Sequence, residues 1–77
     1  MKQLTHYILS HLVEHPDALV ITETDQGNGN IVITISVAKE DMGRVIGRDG
    51  KVIRSIRDVI KILALKLNKH VDVVLAE

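Results

Sequence analysis

The chain has 77 residues and no cysteine, and its ten basic and ten acidic side chains cancel to a formal net charge of zero. The missing thiols exclude a disulfide framework, a thiolate metal site and a cysteine nucleophile. The length fits one domain over residues 1–77 with a small core. Tyr7 is the single aromatic residue among Phe, Trp and Tyr, which excludes binders that stack bases on a platform of rings.

Residues Lys2 to His15 predict an amphipathic helix, with Leu4, Ile8, Leu9, Leu12 and Val13 on one stripe and Pro16-Asp17 ending it. The β-branched run from Ala18 to Asp25 predicts a strand. Gly27-Asn28-Gly29-Asn30 then predicts a turn, because Gly and Asn tolerate positive φ. Ile31, Ile33, Ile35 and Val37 alternate with Val32, Thr34, Ser36 and Ala38, the period-2 signature of a strand with one apolar face. Asp41 is placed to cap a short helix over Met42–Ile46. After Gly47-Arg48-Asp49-Gly50 a long helix is expected from Lys51 to Leu67, burying Val52, Ile53, Ile56, Val59, Ile60, Leu63 and Leu67. Asn68-Lys69-His70 closes it, and Val71 to Ala76 predicts the last strand. The order is helix, strand, strand, helix, helix, strand: an α+β fold whose helices cover one face of a three-stranded sheet.

No apolar run is long enough to span a membrane. The N-terminus lacks the uninterrupted core and cleavage site of a signal peptide, so the chain reads as cytoplasmic. The zero net charge conceals a segregation. Residues 1–42 carry two basic and six acidic side chains, whereas residues 43–69 carry eight basic side chains against Asp49 and Asp58. Such separation within one domain points to a surface that meets a polyanion.

The basic segment contains two glycines three apart, Gly47 and Gly50, between the two predicted helices. Their turn opens the N-terminus of the long helix, where unpaired backbone N–H groups and the helix dipole favour phosphate. Arg44, Arg48, Lys51 and Arg54 surround it with cationic donors. Val45, Ile46 and Ile53 are small enough to line a shallow groove for a base. A glycine pair at this spacing is by itself weak, since helix–turn–helix joints often contain one for packing. Its place after an alternating strand, between two helices and inside the basic segment gives it weight.

The residues Gly43-Arg44-Val45-Ile46-Gly47-Arg48-Asp49-Gly50-Lys51-Val52-Ile53, followed by Ile56-Arg57, resemble the signature of KH domains. The element order resembles the type II arrangement of that fold over essentially the whole chain. It is similar to the small single-KH-domain bacterial RNA-binding proteins of the KhpA (YlqC) family. The resemblance implies binding of single-stranded RNA, an RNA-chaperone role, and pairing with itself or with a KhpB-like KH protein. It also implies, in some lineages, a link to cell elongation and peptidoglycan homeostasis. KH domains clamp about four nucleotides on the glycine loop. Carried over by position, the loop is Gly47, Arg48, Asp49 and Gly50, flanked by Arg44, Val45, Ile46, Lys51, Ile53 and Arg54. Ile33 and Ile35 fall in the sheet, and the turn at Gly27 to Asn30 is the variable loop. Asp49 stands where many KH domains have a basic residue, so modest affinity is expected.

The remaining polar residues carry no chemistry of their own. His11 and His15 have the spacing of a metal pair, yet no third ligand is placed to complete it. Asp58 reads as an ion-pair partner of Arg54 or Lys61. Ser10, Ser36 and Ser55 lack a nucleophile's surroundings, and no enzyme or cofactor is read. Ile62 and Leu65 lie off the main apolar stripe of the long helix. With Val59 and Lys66 they suggest a homodimer surface. The rival readings are a KH-fold module kept for protein–protein dimerisation and a single-stranded DNA binder.

Overall fold

The computed structural model describes residues 1–76. Helix α1 spans Lys2–Ser10 and so ends five residues before the expected His15. Side chains compete there for a helical acceptor. Ser10 Oγ donates to Tyr7 O at 2.7 Å, and His11 Nδ1 lies 2.8 Å from the same oxygen. The His11 N–H turns to Ile8 O instead, a local rivalry that stops a helix. Val13 still reaches the core through a bond from its N–H to Leu9 O at 3.1 Å. A 3-10 turn at Pro16–Ala18 follows, with proline fixing its start.

Strands β1 (Val20–Asp25) and β2 (Asn30–Ser36) form an antiparallel hairpin with Thr22 opposite Thr34. Its turn holds Gly27, Asn28 and Gly29 all at positive φ, and the Asp25 carboxylate accepts the Gly27 N–H at 2.8 Å. After a 3-10 turn at Lys39–Asp41 comes helix α2 (Met42–Ile46), then the glycine loop, then helix α3 (Lys51–Lys66). These helices make the crossover that a parallel partner requires. Strand β3 (His70–Leu75) accordingly pairs with β2 in parallel, with Ile33 opposite Val73, and the sheet order is β1-β2-β3.

One face of the sheet meets the helices. Ile21, Ile31, Ile33, Ile35, Val71 and Val73 pack against Leu9, Val45, Ile53, Ile56, Ile60 and Ala64. Each large aliphatic chain buried here contributes about 1.5–3 kcal/mol. Truncating Ile33 at the centre of that layer, to Ala, would cost about 2–5 kcal/mol. The result is the α+β arrangement that the sequence pattern predicts, in the type II order that the resemblance implies.

Helix α3 departs from its expected stripe at two places. Val59 is exposed, and so is Leu67, which lies past the helix end. Ala64 takes the buried position instead, because Ile53, Ile56, Ile60 and Ala64 follow the three- and four-residue spacing of one narrow face. The helix closes with Asn68 in the left-handed region, the Asn68 N–H on Leu65 O and the Lys69 N–H on Ala64 O. This pattern satisfies two terminal carbonyls. Asp58 makes no ion pair with Arg54 or Lys61; among the described residues the pairs are the Met1 amino group with Glu23 and Arg44 with Glu14.

Asp41 is also corrected. It precedes α2, but its side chain caps nothing on that helix. Its carboxylate crosses to the segment after α1 and accepts the N–H groups of Glu14 at 2.9 Å and His15 at 3.0 Å. The residue is 1% exposed. The bond from the Glu14 N–H holds its pKa below the ordinary carboxylate value. Burial opposes that shift, while the His15 N–H and the charges of His15 and Arg44 reinforce it.

Candidate nucleic-acid interface

The loop between α2 and α3 depends on backbone shapes that few residues accept. Gly47 has φ 76° and ψ 174°, a region almost restricted to glycine. Asp49 (φ 58°) and Gly50 (φ 73°) are both left-handed. A Cβ on Gly47 would fall 2.3 Å from Val52 Cγ2 and 2.8 Å from the Val52 N–H nitrogen. One on Gly50 would have room, its nearest neighbour being Arg54 Nη2 at 3.9 Å. The first glycine is therefore required by both space and torsion, and the second by torsion alone.

The turn places the start of α3 toward solvent, and Arg48, Lys51 and Arg54 are exposed around it. None of them is ion-paired among the described residues. Arg54 Nη2 lies 3.4 Å from Asp49 O, a long bond that leans the guanidinium over the loop. The exposed Asp49 carboxylate is the only acidic group on the loop itself. Arg44 is exposed too, but it is paired with Glu14, so its charge is partly committed. This set can hold phosphate by attraction and by N–H donors at a helix start.

The apolar wall expected beside the loop is mostly absent from the surface. Val45 is fully buried and Ile53 nearly so; both face the sheet and support the loop from beneath. Ile46, 37% exposed, is the one of the three able to meet a ligand. Helical phase explains the correction: with about 100° per residue, Ile46 turns away from the side on which Val45 is buried.

Two residues of the KH-like signature make contacts that the sequence pattern does not indicate. Val52 fills the space a Gly47 side chain would need. Arg57, half-buried on α3, donates from Nε to Val73 O at 3.1 Å. The proposed self-association residues Val59, Ile62, Leu65 and Lys66 are all exposed on α3. No group of three or more His, Cys, Asp or Glu among the described residues could hold a metal ion. No helix among them is long and apolar enough to cross a membrane.

Known proteins share this architecture in sequence as well. An RNA-binding protein KhpA of Clostridium acetobutylicum is 45% identical over 73 residues, covering 95% of this chain and 96% of its own. One from Listeria monocytogenes is 38% identical over the full length of both chains. Another from Chlamydia pneumoniae is 36% identical, covering all of this chain and 97% of its own. Residues 2–75 match the family described as the KhpA/KhpB KH domain, and the chain belongs to that family.

Proposed function

We propose that this chain is a single KH domain that binds single-stranded RNA, clamping its phosphates on the Gly47–Gly50 loop without chemistry. The carrying observation is that loop: a glycine-dependent turn opening a 16-residue helix, ringed by the exposed Arg48, Lys51 and Arg54, none of them ion-paired among the described residues. The names of the KhpA relatives support RNA as the polyanion. By family resemblance the working form is a cytoplasmic RNA chaperone, dimeric with itself or with a KhpB-like partner, and tied to cell elongation and peptidoglycan homeostasis. The exposed Ile62 and Leu65 favour the dimer.

The test is fluorescence anisotropy with one sequence presented as single-stranded RNA, single-stranded DNA and duplex RNA. Tighter binding to single-stranded RNA, weakening as salt rises, is expected. Equal affinity for DNA would move the reading to a single-strand binder of either kind. No binding to any of them would leave the dimerisation module.

A further inference from the structure

We infer that Arg57 selects a base beside the glycine-loop clamp, favouring guanine or cytosine over adenine and uracil; this rests on the RNA-binding reading above. Phosphate contacts position a strand but carry no sequence information. With no set of aromatic rings to stack bases, discrimination on this domain has to come from hydrogen bonds to base edges.

The geometry sets Arg57 apart from the other cations. Arg48, Lys51 and Arg54 are exposed around the loop, whereas Arg57 is half-buried and reaches from α3 to the outer strand. It lies seven residues beyond Gly50, about 10 Å along the helix axis. Its Nε is engaged by Val73 O, which fixes the guanidinium plane. The four N–H donors on Nη1 and Nη2 have no protein partner among the described residues. No carboxylate pairs with it there either.

The strand beneath adds a donor of the same kind. Along β3 the His70 N–H bonds to Gly29 O and the Ala76 N–H to Ile35 O, so the even-numbered residues face β2. Val71, Val73 and Leu75 then turn their N–H and C=O groups to the open edge. At Val73 the carbonyl is taken by Arg57, which leaves the N–H. Val71 and Leu75 keep their carbonyls as well, so the edge offers both kinds of group, and it is the fixed guanidinium that offers donors only.

A donor-only guanidinium prefers a base edge with two adjacent acceptors. Guanine has O6 and N7, the commonest partner of a bidentate arginine, and cytosine has O2 and N3. Adenine places its amino group beside N1 and N7, and uracil interposes N3–H between its carbonyls. A lysine could not reproduce the selection, being a point charge without the planar fork.

The probe is hexauridylate carrying one guanine, cytosine or adenine at each position in turn, titrated by anisotropy. With the parent protein, guanine or cytosine at one position should bind about tenfold more tightly than adenine there. Arg57→Lys should bring the guanine and cytosine hexamers down to the level of the adenine one, with the circular dichroism spectrum unchanged. If Arg57 only ties α3 to β3, the variant weakens every hexamer alike and keeps their ratios, which overturns the proposal. Equal binding of adenine, guanine and cytosine by the parent also overturns it. Failure of the parent to bind any hexamer overturns the RNA-binding reading itself.

Discussion

Gly47 and Val52 occupy one another's space: a single methyl on Gly47 would sit 2.3 Å from Val52 Cγ2 and 2.6 Å from its Cβ. The loop is thus shaped by packing against the first turn of α3 as much as by torsion. Two alanine substitutions separate these causes. Gly50→Ala meets only left-handed strain, about 1–2 kcal/mol. Gly47→Ala adds a clash with a β-branched side chain and with backbone, so it should be the more destabilising in urea unfolding. Equal losses would mean that Val52 moves freely and that the packing does not define the loop.

Arg48 projects from that loop with no ion-pair partner among the described residues. Replacing it with Asp should remove phosphate attraction and add repulsion, abolishing RNA binding at moderate salt while the unfolding midpoint stays within the small range of surface changes. Neutralising one contact should also flatten the salt dependence, by about one unit in the logarithmic slope for a single cation. Unchanged affinity would remove the loop from the binding site.

Asp49 offers the opposite sign. Its carboxylate is exposed on the loop, but its backbone is left-handed at φ 58°, a shape Asp and Asn accept more readily than Lys. Asp49→Asn removes the charge and keeps the conformation, so affinity should rise a few-fold with stability unchanged. Asp49→Lys sets about 1 kcal/mol of added attraction against a comparable strain, so its net gain should be the smaller. Weaker binding by Asp49→Asn would show that the carboxylate itself supports the loop.

Much of this architecture is visible locally. The alternation from Ile31 to Val37 and the Ile53, Ile56, Ile60 spacing identify β2 and α3, and the glycine pair with its cations identifies the loop. What stays hidden depends on partners distant in sequence. The end of α1 is settled in part by Asp41, whose carboxylate takes the Glu14 N–H 27 residues away. Arg57 gains its meaning from a strand carbonyl 16 residues later. Val45 reads as a groove residue until the sheet is present to bury it.

Asp41 makes stability depend on acid. Its pKa is lower folded than its ordinary 3.8, so below that value the unfolded chain binds the proton more readily. The stabilisation is complete above the unfolded pKa and is lost as pH falls through the folded one. The acid limb should therefore lie below about pH 4. Asp41→Asn keeps the shape but not the charged acceptor. It should lower the Tm at pH 7 and narrow the gap between pH 7 and pH 3. An unaltered pH dependence would assign acid unfolding to other carboxylates.

Assembly can be decided at Ile62. It is two residues from both Ile60 and Ala64, each fully buried, so it turns about 200° from either and points away from the sheet. It is nevertheless 58% exposed, as is Leu65, with Val59 also exposed one turn earlier. An apolar group on the outer side of an amphipathic helix gains nothing in a monomer, whereas facing a second α3 would bury it. Two joined domains would also bind a longer RNA more tightly through effective concentration. Ile62→Asp would place an unpaired charge in that contact and should give a folded monomer with reduced affinity for long RNA. Its affinity for a short oligonucleotide that occupies one domain should change much less. Light scattering at tens of micromolar reads the mass directly. A monomeric parent, or an Ile62→Asp protein that stays dimeric, would place the interface on another surface.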